Sequence, residues 1–245
     1  MRANANLSSS RALVAVMFLA LLLPCSAKEL PATAGLPDET GEIFTVGKIT
    51  VDKRARTVRF PATVNMAEGV LEYLLVTDKG KTHESLLATA VSPYQLNIAM
   101  LLLGARPTPE ITDLPPEQLT AGTLKSAPEL AGDNADIFIS WKHGGEQRKV
   151  RAEEWIDSLA AKAPMTVGPW IYTGSAIYQK RFLAQEEGSI VALVTDPAAL
   201  INNPRPSNRD DTNWSARKDK IPATGTPVEI IFQLLSNPPT SQPAK

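Results

Sequence analysis

Residues 70–104 read VLEYLLVTDKGKTHESLLATAVSPYQLNIAMLLLG, and this stretch decides the expected fold. Its first part is almost entirely apolar and contains Val, Tyr and Leu, which predicts a strand over residues 70–76. Residues 78–81 have the composition of a tight turn, since Asp and Gly favour such conformations. Residues 82–87 are then expected to return as the second arm, so the segment predicts a β-hairpin.

The second half of the same stretch has the residue types of a short helix with both ends marked. Ser92 suits the N-cap and Pro93 the first helical position. Gly104 stands where a helix commonly ends in a left-handed glycine. The densely apolar residues 94–103 therefore predict a helix that packs on a sheet.

Outside residues 70–104 the pattern is mostly that of strands separated by polar turns. Strands are predicted over residues 49–51, 57–60, 62–64, 135–141, 147–151, 170–172, 189–194 and 228–235. Two further short helices are predicted over residues 153–161 and 196–201. We therefore expect an α+β fold, in which antiparallel β-hairpins form a sheet and two or three short helices pack on it.

The first 27 residues have the pattern of a secretory signal peptide. A short positive segment precedes an apolar run over residues 12–23, and Cys25, Ser26 and Ala27 form a small-residue cleavage site. The apolar run is shorter than the roughly 20 residues that span a bilayer. We expect the protein to be exported, either periplasmic or secreted. Lipid anchoring at Cys25 is the less favoured alternative, because Pro24 replaces the small residue that should precede an acylated cysteine.

The expected mature chain has one main domain over residues 42–235. A flexible leader is predicted over residues 28–41 and a disordered tail over residues 236–245. Residues 106–133 are rich in proline and predict a long loop, which is either functional or separates two lobes of the domain.

Composition excludes several classes of function. Cys25 is the only cysteine, so cleavage after residue 27 leaves a chain without disulfides, thiolate metal ligands or a cysteine nucleophile. Cleavage also removes two arginines and no acidic residue, which lowers the net charge from −1 to −3. A chain without surplus positive charge is a poor partner for nucleic acid. No cofactor and no transmembrane segment after signal removal are predicted, and the partner is an unidentified extracytoplasmic ligand or protein.

Several short motifs in a fixed order resemble the YdjY domain family. The first is Lys-Thr-His-Glu-Ser-Leu-Leu at residues 81–87, which is followed by Pro93 and the apolar helix. Later motifs are Trp-Ile-Tyr-Thr-Gly-Ser at 170–175, the polar loop that ends at Trp214, and Gly-Thr-Pro-Val at 225–228. The likeness covers about residues 43–235. It implies an exported protein and assigns no mechanism.

His83 and Glu84 are the candidate catalytic residues. A zinc-protease helix would need a second histidine four positions after His83, and Leu87 stands there instead. The local pattern predicts a strand, on which His83 and Glu84 would point to opposite faces. His83 is therefore interpreted mainly as a structural histidine, and a role as a lone base or ligand is kept as the alternative.

Two other segments supply candidate ligand and metal sites. Thr173, Gly174 and Ser175 lie where a bulge, or the close approach of another backbone or a ligand, is expected. Trp214 stands in a polar loop, where it either anchors the loop to the core or stacks on a ligand. Oxygen-bearing side chains alternate at Asn208, Asp210 and Thr212, a spacing that calcium loops use, although the glycine and glutamate of an EF-hand are missing.

No complete catalytic motif and no cofactor fingerprint are present in the sequence. The expected function is therefore a non-catalytic envelope or secreted binding module. Two alternatives stay open. One is an envelope hydrolase that uses His83 with a carboxylate, with or without a metal ion. The other is a structural or assembly component of the envelope.

Overall fold

The structure, a computed structural model, describes residues 41–108 and 130–236. The expected signal peptide with Cys25, nearly all of the leader, most of the proline-rich loop and all but the first residue of the tail lie outside these residues. The predictions for those segments are therefore not addressed by the structure.

The described residues form sixteen strands and two α-helices. The strands are β1 Ile43–Val46, β2 Ile49–Asp52, β3 Thr57–Val64, β4 Tyr73–Thr77, β5 Ser85–Thr89, β6 Asp133–His143, β7 Glu146–Arg151, β8 Ile156–Ser158, β9 Ala163–Pro164, β10 Trp170–Tyr172, β11 Ile177–Tyr178, β12 Arg181–Phe182, β13 Ser189–Ala192, β14 Ile201–Asn202, β15 Trp214–Ala216 and β16 Pro227–Leu234. The helices are α1 Pro93–Leu102 and α2 Leu183–Glu187. Two 3₁₀ turns cover Thr82–Glu84 and Ala152–Trp155.

Eight of the strands close into a barrel, in which each strand is hydrogen-bonded to the next. The order around the barrel is β3, β16, β6, β10, β14, β13, β4 and β5, and β5 returns to β3. Strands β2 and β1 continue the sheet outward from β3. Strand β7 pairs with residues 138–143 of β6. The small sheets β11–β12 and β15–β8–β9 lie off this ring.

Alternation of side chains along the strands builds the core inside the ring. In β3, Val58 and Phe60 are buried while Arg59 and Pro61 are exposed, as a strand with one covered face requires. Phe60 meets Phe232 of β16 edge to face, with ring centroids 5.1 Å apart. Burial of these inward faces from distant parts of the sequence is the main stabilisation of the barrel.

The expected α+β class is wrong, because the structure is mostly β. In the part of the chain that the structure describes, 42% of residues are in strands and 13% are in helices. Only one helix there reaches seven residues. The sequence pattern identified most of the strands but overestimated the helices that cover them.

Two predicted helices are replaced by turns and strands. Residues 153–161 form the end of a 3₁₀ turn and then β8, whose partners β15 and β9 supply hydrogen bonds that a helix would not need. In the second segment Asp196 Oδ1 accepts a hydrogen bond from the amide of Ala198 at 2.8 Å. The aspartate therefore closes a local turn instead of capping a helix. Tertiary pairing has overridden weak local helix preference in the first segment, and a local side-chain turn has done so in the second.

The predicted hairpin over residues 70–87 is also wrong. Strands β4 and β5 form, but they pair parallel, with Tyr73 opposite Ser85 and Thr77 opposite Thr89. The connecting residues run back along the sheet and include the 3₁₀ turn, which is why residues 82–84 are not part of a strand. Turn residues alone do not show whether the second strand runs antiparallel to the first or crosses back and runs parallel to it.

The helix predicted after Ser92 is confirmed as α1. Pro93 occupies its first turn, and Gly104 follows it with φ +81°, a conformation that glycine adopts without strain. Leu96 and Met100 are buried on the side where α1 packs near β2 and β3. In the described ranges 41–108 and 130–236, no helix has both the length and the apolar character needed to cross a membrane.

Candidate functional site

An open cleft of about 400 Å³ lies between the β6–β7 hairpin and the segment that follows β15. Its first wall comes from the hairpin. Trp141 of β6 lies directly opposite Arg148 of β7, so their side chains are neighbours on one face of the hairpin. Val150 lines the same wall.

The second wall of the cleft is formed by Arg217 and residues 219–222, and contacts of Arg217 hold this segment in place. The backbone amide of Arg217 donates to Trp155 O at 2.9 Å, and its guanidinium lies 3.1 Å from both Asp157 Oδ1 and Glu154 O. The amide of Lys220 donates to Arg217 O at 2.9 Å, which closes a turn. Lys220 is thereby held on the wall that faces the hairpin.

Two tryptophans underlie the cleft. Trp141 and Trp155 pack edge to face with centroids 5.1 Å apart, and both are buried. The indole Nε1 of Trp141 is buried and has no hydrogen-bond partner among the described residues. An indole N–H is a donor only, and buried donors are nearly always paired in native proteins. The two rings therefore form an apolar base for the cleft, and the buried Trp141 N–H is not exposed to it.

A buried ionic network fixes the turn that carries Trp155. Glu153 is fully buried, and its Oε1 accepts hydrogen bonds from Arg205 Nη2 at 2.7 Å and from Trp170 Nε1 at 3.2 Å. The Arg205 guanidinium also lies over the Trp170 ring, 4.8 Å from its centroid. Burial lowers the pKa of Arg205, while the Glu153 carboxylate opposes that shift.

Arg151 joins this network from the end of β7. Its guanidinium forms two hydrogen bonds with Asp136, at 2.6 and 2.9 Å, and approaches Glu153 Oε1 at 3.4 Å. The bonds to Asp136 raise the pKa of Arg151 above its ordinary value. The network therefore ties the hairpin and the turn of Trp155 to the same buried carboxylate.

His83 and Glu84 lie on the 3₁₀ turn before β5, away from this cleft. The expected strand placement is wrong, and the two side chains meet, with His83 Nε2 3.6 Å from Glu84 Oε2. The His83 side chain is 79% exposed, so it is not a buried structural histidine. Glu72 lies nearby, and burial, followed by repulsion from Glu84, raises its pKa.

The segment Thr173–Gly174–Ser175 is buried in internal contacts. Thr173 Oγ1 accepts a hydrogen bond from Asn202 Nδ2 at 2.9 Å, and Ser175 Oγ donates to Ala198 O at 2.8 Å. A Cβ on Gly174 would lie 2.3 Å from the Cβ of Pro107. The close approach expected at this glycine is therefore made by another part of the chain.

The candidate metal residues are engaged with each other or with the backbone. Asp210 Oδ1 accepts hydrogen bonds from the amide and hydroxyl of Thr212, which lowers the pKa of Asp210. Asn208 Nδ2 donates to Asn203 O at 2.8 Å. Within the described part of the chain, no group of three His, Cys, Asp or Glu side chains is placed to hold a metal ion.

Trp214 belongs to β15 and is 2% exposed, packed in the main core. The structure therefore gives its ring the anchoring position, and it does not line the cleft described above.

Sequence reasoning did not identify the residues of the cleft. Trp141 was predicted only as part of a strand, and Arg148 and Lys220 stand in segments that otherwise look like ordinary charged surface. The one local signal is a tryptophan opposite an arginine across a short hairpin, which is not specific enough to select a site.

The model of the YdjY domain matches residues 49–233. No curated protein and no solved structure matches this chain.

Proposed function

This chain belongs to the YdjY domain family, and we propose that it is an exported, non-catalytic binding module whose ligand occupies the cleft beside Trp141. The observation that carries this proposal is a cleft of about 400 Å³ whose two walls present charged side chains beside the packed rings of Trp141 and Trp155. Ligand sites are typically concavities of roughly 300–1,000 Å³ with a few fixed polar groups. Export is supported by the signal-like pattern of residues 1–27.

The composition of the cleft favours binding over covalent catalysis. None of the described residues that line it carries a hydroxyl or thiol that could act as a nucleophile. The Glu154 carboxylate accepts a hydrogen bond from the amide of Arg151 at 3.0 Å, so it serves the local turn. The walls are fixed by Arg217 and by the Glu153 network, which suits a preformed binding site.

The test compares native and denatured masses of the full chain purified from the cells that make it. A bound ligand appears as extra mass in the native spectrum alone. We expect the double variant Arg148→Ala/Lys220→Ala to lose that mass and the control Lys142→Ala/Lys218→Ala to keep it, since Lys142 and Lys218 do not line the cleft. A ligand retained by the cleft variant, or converted to product on incubation, would contradict the proposal. The denatured mass also reports whether residues 1–27 have been removed.

The contact of His83 with Glu84 supports a second candidate, an envelope hydrolase. A carboxylate 3.6 Å from an exposed imidazole can orient it as a general base. If this candidate holds, His83→Ala abolishes hydrolysis of an envelope substrate without lowering the melting temperature. His143→Ala is the comparison at a second site, because His143 is also exposed but lines the cleft at the end of β6; loss of hydrolysis in that variant instead would assign the activity to the cleft.

A further inference from the structure

We propose that the cleft binds an oxyanion, a carboxylate or phosphate group, on a sugar-sized ligand, with the group held between Arg148 and Lys220. This inference rests on the proposed binding function and names the chemistry of its ligand. Trp141 lines the cleft beside Arg148, and its indole resonance reports whether the cleft is occupied.

The first support is the placement of positive charge on both walls. Arg148 belongs to the hairpin and Lys220 to the opposite segment, so an anion between them is approached from two sides. Arg217 adds a third cation, while Glu154 and Asp219 are the acidic residues of the lining. Cations therefore outnumber carboxylates by three to two among the lining residues, and the charge of Arg217 is paired with Asp157 outside the lining, which leaves Arg148 and Lys220 as the cations that meet a ligand.

The second support is that the two outer cations are available. The Arg148 side chain is 54% exposed and only 4.0 Å from Glu146, at the limit of an ion pair. Lys220 is 52% exposed and lies 3.3 Å from its neighbour Asp219. Exposed pairs of this kind contribute little to stability, so a ligand anion can replace the carboxylates without loss of fold. Arg217, in contrast, is occupied by Asp157 and the backbone of Glu154.

The third support is the indole of Trp141. The residue is 8% exposed, lies in register with Arg148 and packs on Trp155, so the two rings give a ligand seated against Arg148 an apolar base to pack on. Its Nε1 is buried, so the ring reports on the ligand without donating a hydrogen bond to it. Trp214 also has an unpartnered buried N–H, but it does not line the cleft and so provides an internal comparison.

The experiment follows the four indole N–H resonances of the full-length mature protein in ¹H–¹⁵N spectra. The resonance of Trp141 is assigned with a Trp141→Phe variant. Glucose, glucuronate and glucose 6-phosphate are titrated at constant ionic strength, because these probes share a ring and differ in charge. We expect glucuronate, glucose 6-phosphate or both to shift the Trp141 resonance, while glucose leaves it unchanged and the Trp214 resonance stays fixed.

Matched variants then locate the anion. Arg148→Gln should weaken binding of the active probe by about tenfold, since a hydrogen bond to a charged group is lost. Lys142→Gln removes the same charge from the same hairpin and should leave affinity unchanged, because Lys142 does not line the cleft. Lys220→Gln and Lys218→Gln form the second such pair, and melting temperatures verify that all four variants are folded.

The outcomes distinguish a failure of this inference from a failure of the proposed binding function. A shift with one anionic probe alone supports the inference and identifies the source as a carboxylate or a phosphate. Glucose binding as strongly as the anions overturns the inference but leaves a cleft that binds ligands. Anion binding that is insensitive to Arg148→Gln, or no shift with any probe, also overturns it. The proposed function fails separately, if the mass bound in the native spectrum survives the cleft variant.

Discussion

Glu153→Ala should lower the free energy of unfolding more than the removal of any other single carboxylate in the buried network. Glu153 is fully buried, and the Arg205 guanidinium that lies 2.7 Å from its Oε1 is itself only 8% exposed. Removal of the carboxylate leaves the Arg205 charge inside the protein without its partner. Breaking a buried ion pair in this way costs about 3–5 kcal/mol. The lost hydrogen bond from Trp170 Nε1 belongs to the same perturbation.

The assay is urea and thermal unfolding followed by circular dichroism. For a chain of this length, each kcal/mol shifts the melting temperature by about 2–4 °C, so Glu153→Ala should lower it by roughly 6–20 °C. Glu154→Ala is the matched control, because Glu154 is exposed and accepts only the amide of Arg151. Its loss should cost about 1 kcal/mol or less.

A double variant distinguishes the unpaired charge from simple loss of packing. Glu153→Met/Arg205→Met removes both charges and keeps side chains of similar length. Replacing a buried pair by apolar residues is often neutral or stabilising, so the double variant should be more stable than Glu153→Ala. A loss below about 1 kcal/mol in the single variant, or a double variant that is no more stable, would refute this reasoning.

Three further substitutions test other parts of the structure by the same unfolding assays. Gly174→Ala should lower the free energy of unfolding by about 2 kcal/mol or more, because φ is +81° and a Cβ would lie 2.3 Å from Pro107 Cβ. A variant as stable as the wild type would contradict this contact. Tyr73→Phe removes the hydroxyl that donates to buried Asp196 at 2.8 Å and should cost about 1–3 kcal/mol, so an unchanged melting temperature would show that this bond is not needed. Burial, followed by a nearby carboxylate, raises the pKa of Glu72, so its contribution to stability is present below pH 4.5 and is lost as the pH rises through the folded-state value. Glu72→Gln should therefore stabilise the protein at pH 7, by under about 1 kcal/mol after solvent screening, and not at pH 4; equal effects at both pH values would contradict the shift.

Most individual strands are readable from the sequence because their signal is local. Alternation of buried and exposed residues in β3 follows directly from the two-residue period of a strand, and the continuous apolar run of β16 marks a strand covered on both faces. The same is true of the β6–β7 hairpin, whose register is fixed by the short turn between His143 and Glu146. Helix α1 carries its own start and stop signals at Ser92 and Gly104.

The closure of the ring is not readable because it depends on pairing between distant strands. β16 lies between β3 and β6, and no local pattern indicates that the last strand inserts there. The parallel pairing of β4 with β5 likewise has no signature in the turn between them. The buried pair of Glu153 and Arg205 joins residues 52 positions apart, and each alone looks like a surface charge.

The distance in sequence between contacting residues also explains why the sequence pattern indicates His83 and Trp214 and not the residues of the cleft. Rare residue types attract attention, yet the structure leaves His83 exposed on a turn and buries Trp214 in the core. The cleft instead combines common residues from two segments, and Arg217 holds the second of them against Asp157 and the Glu154 backbone. The proposed binding site therefore depends on an ion pair within the chain. Changes at Arg217 should weaken binding of the proposed anion by displacing Lys220.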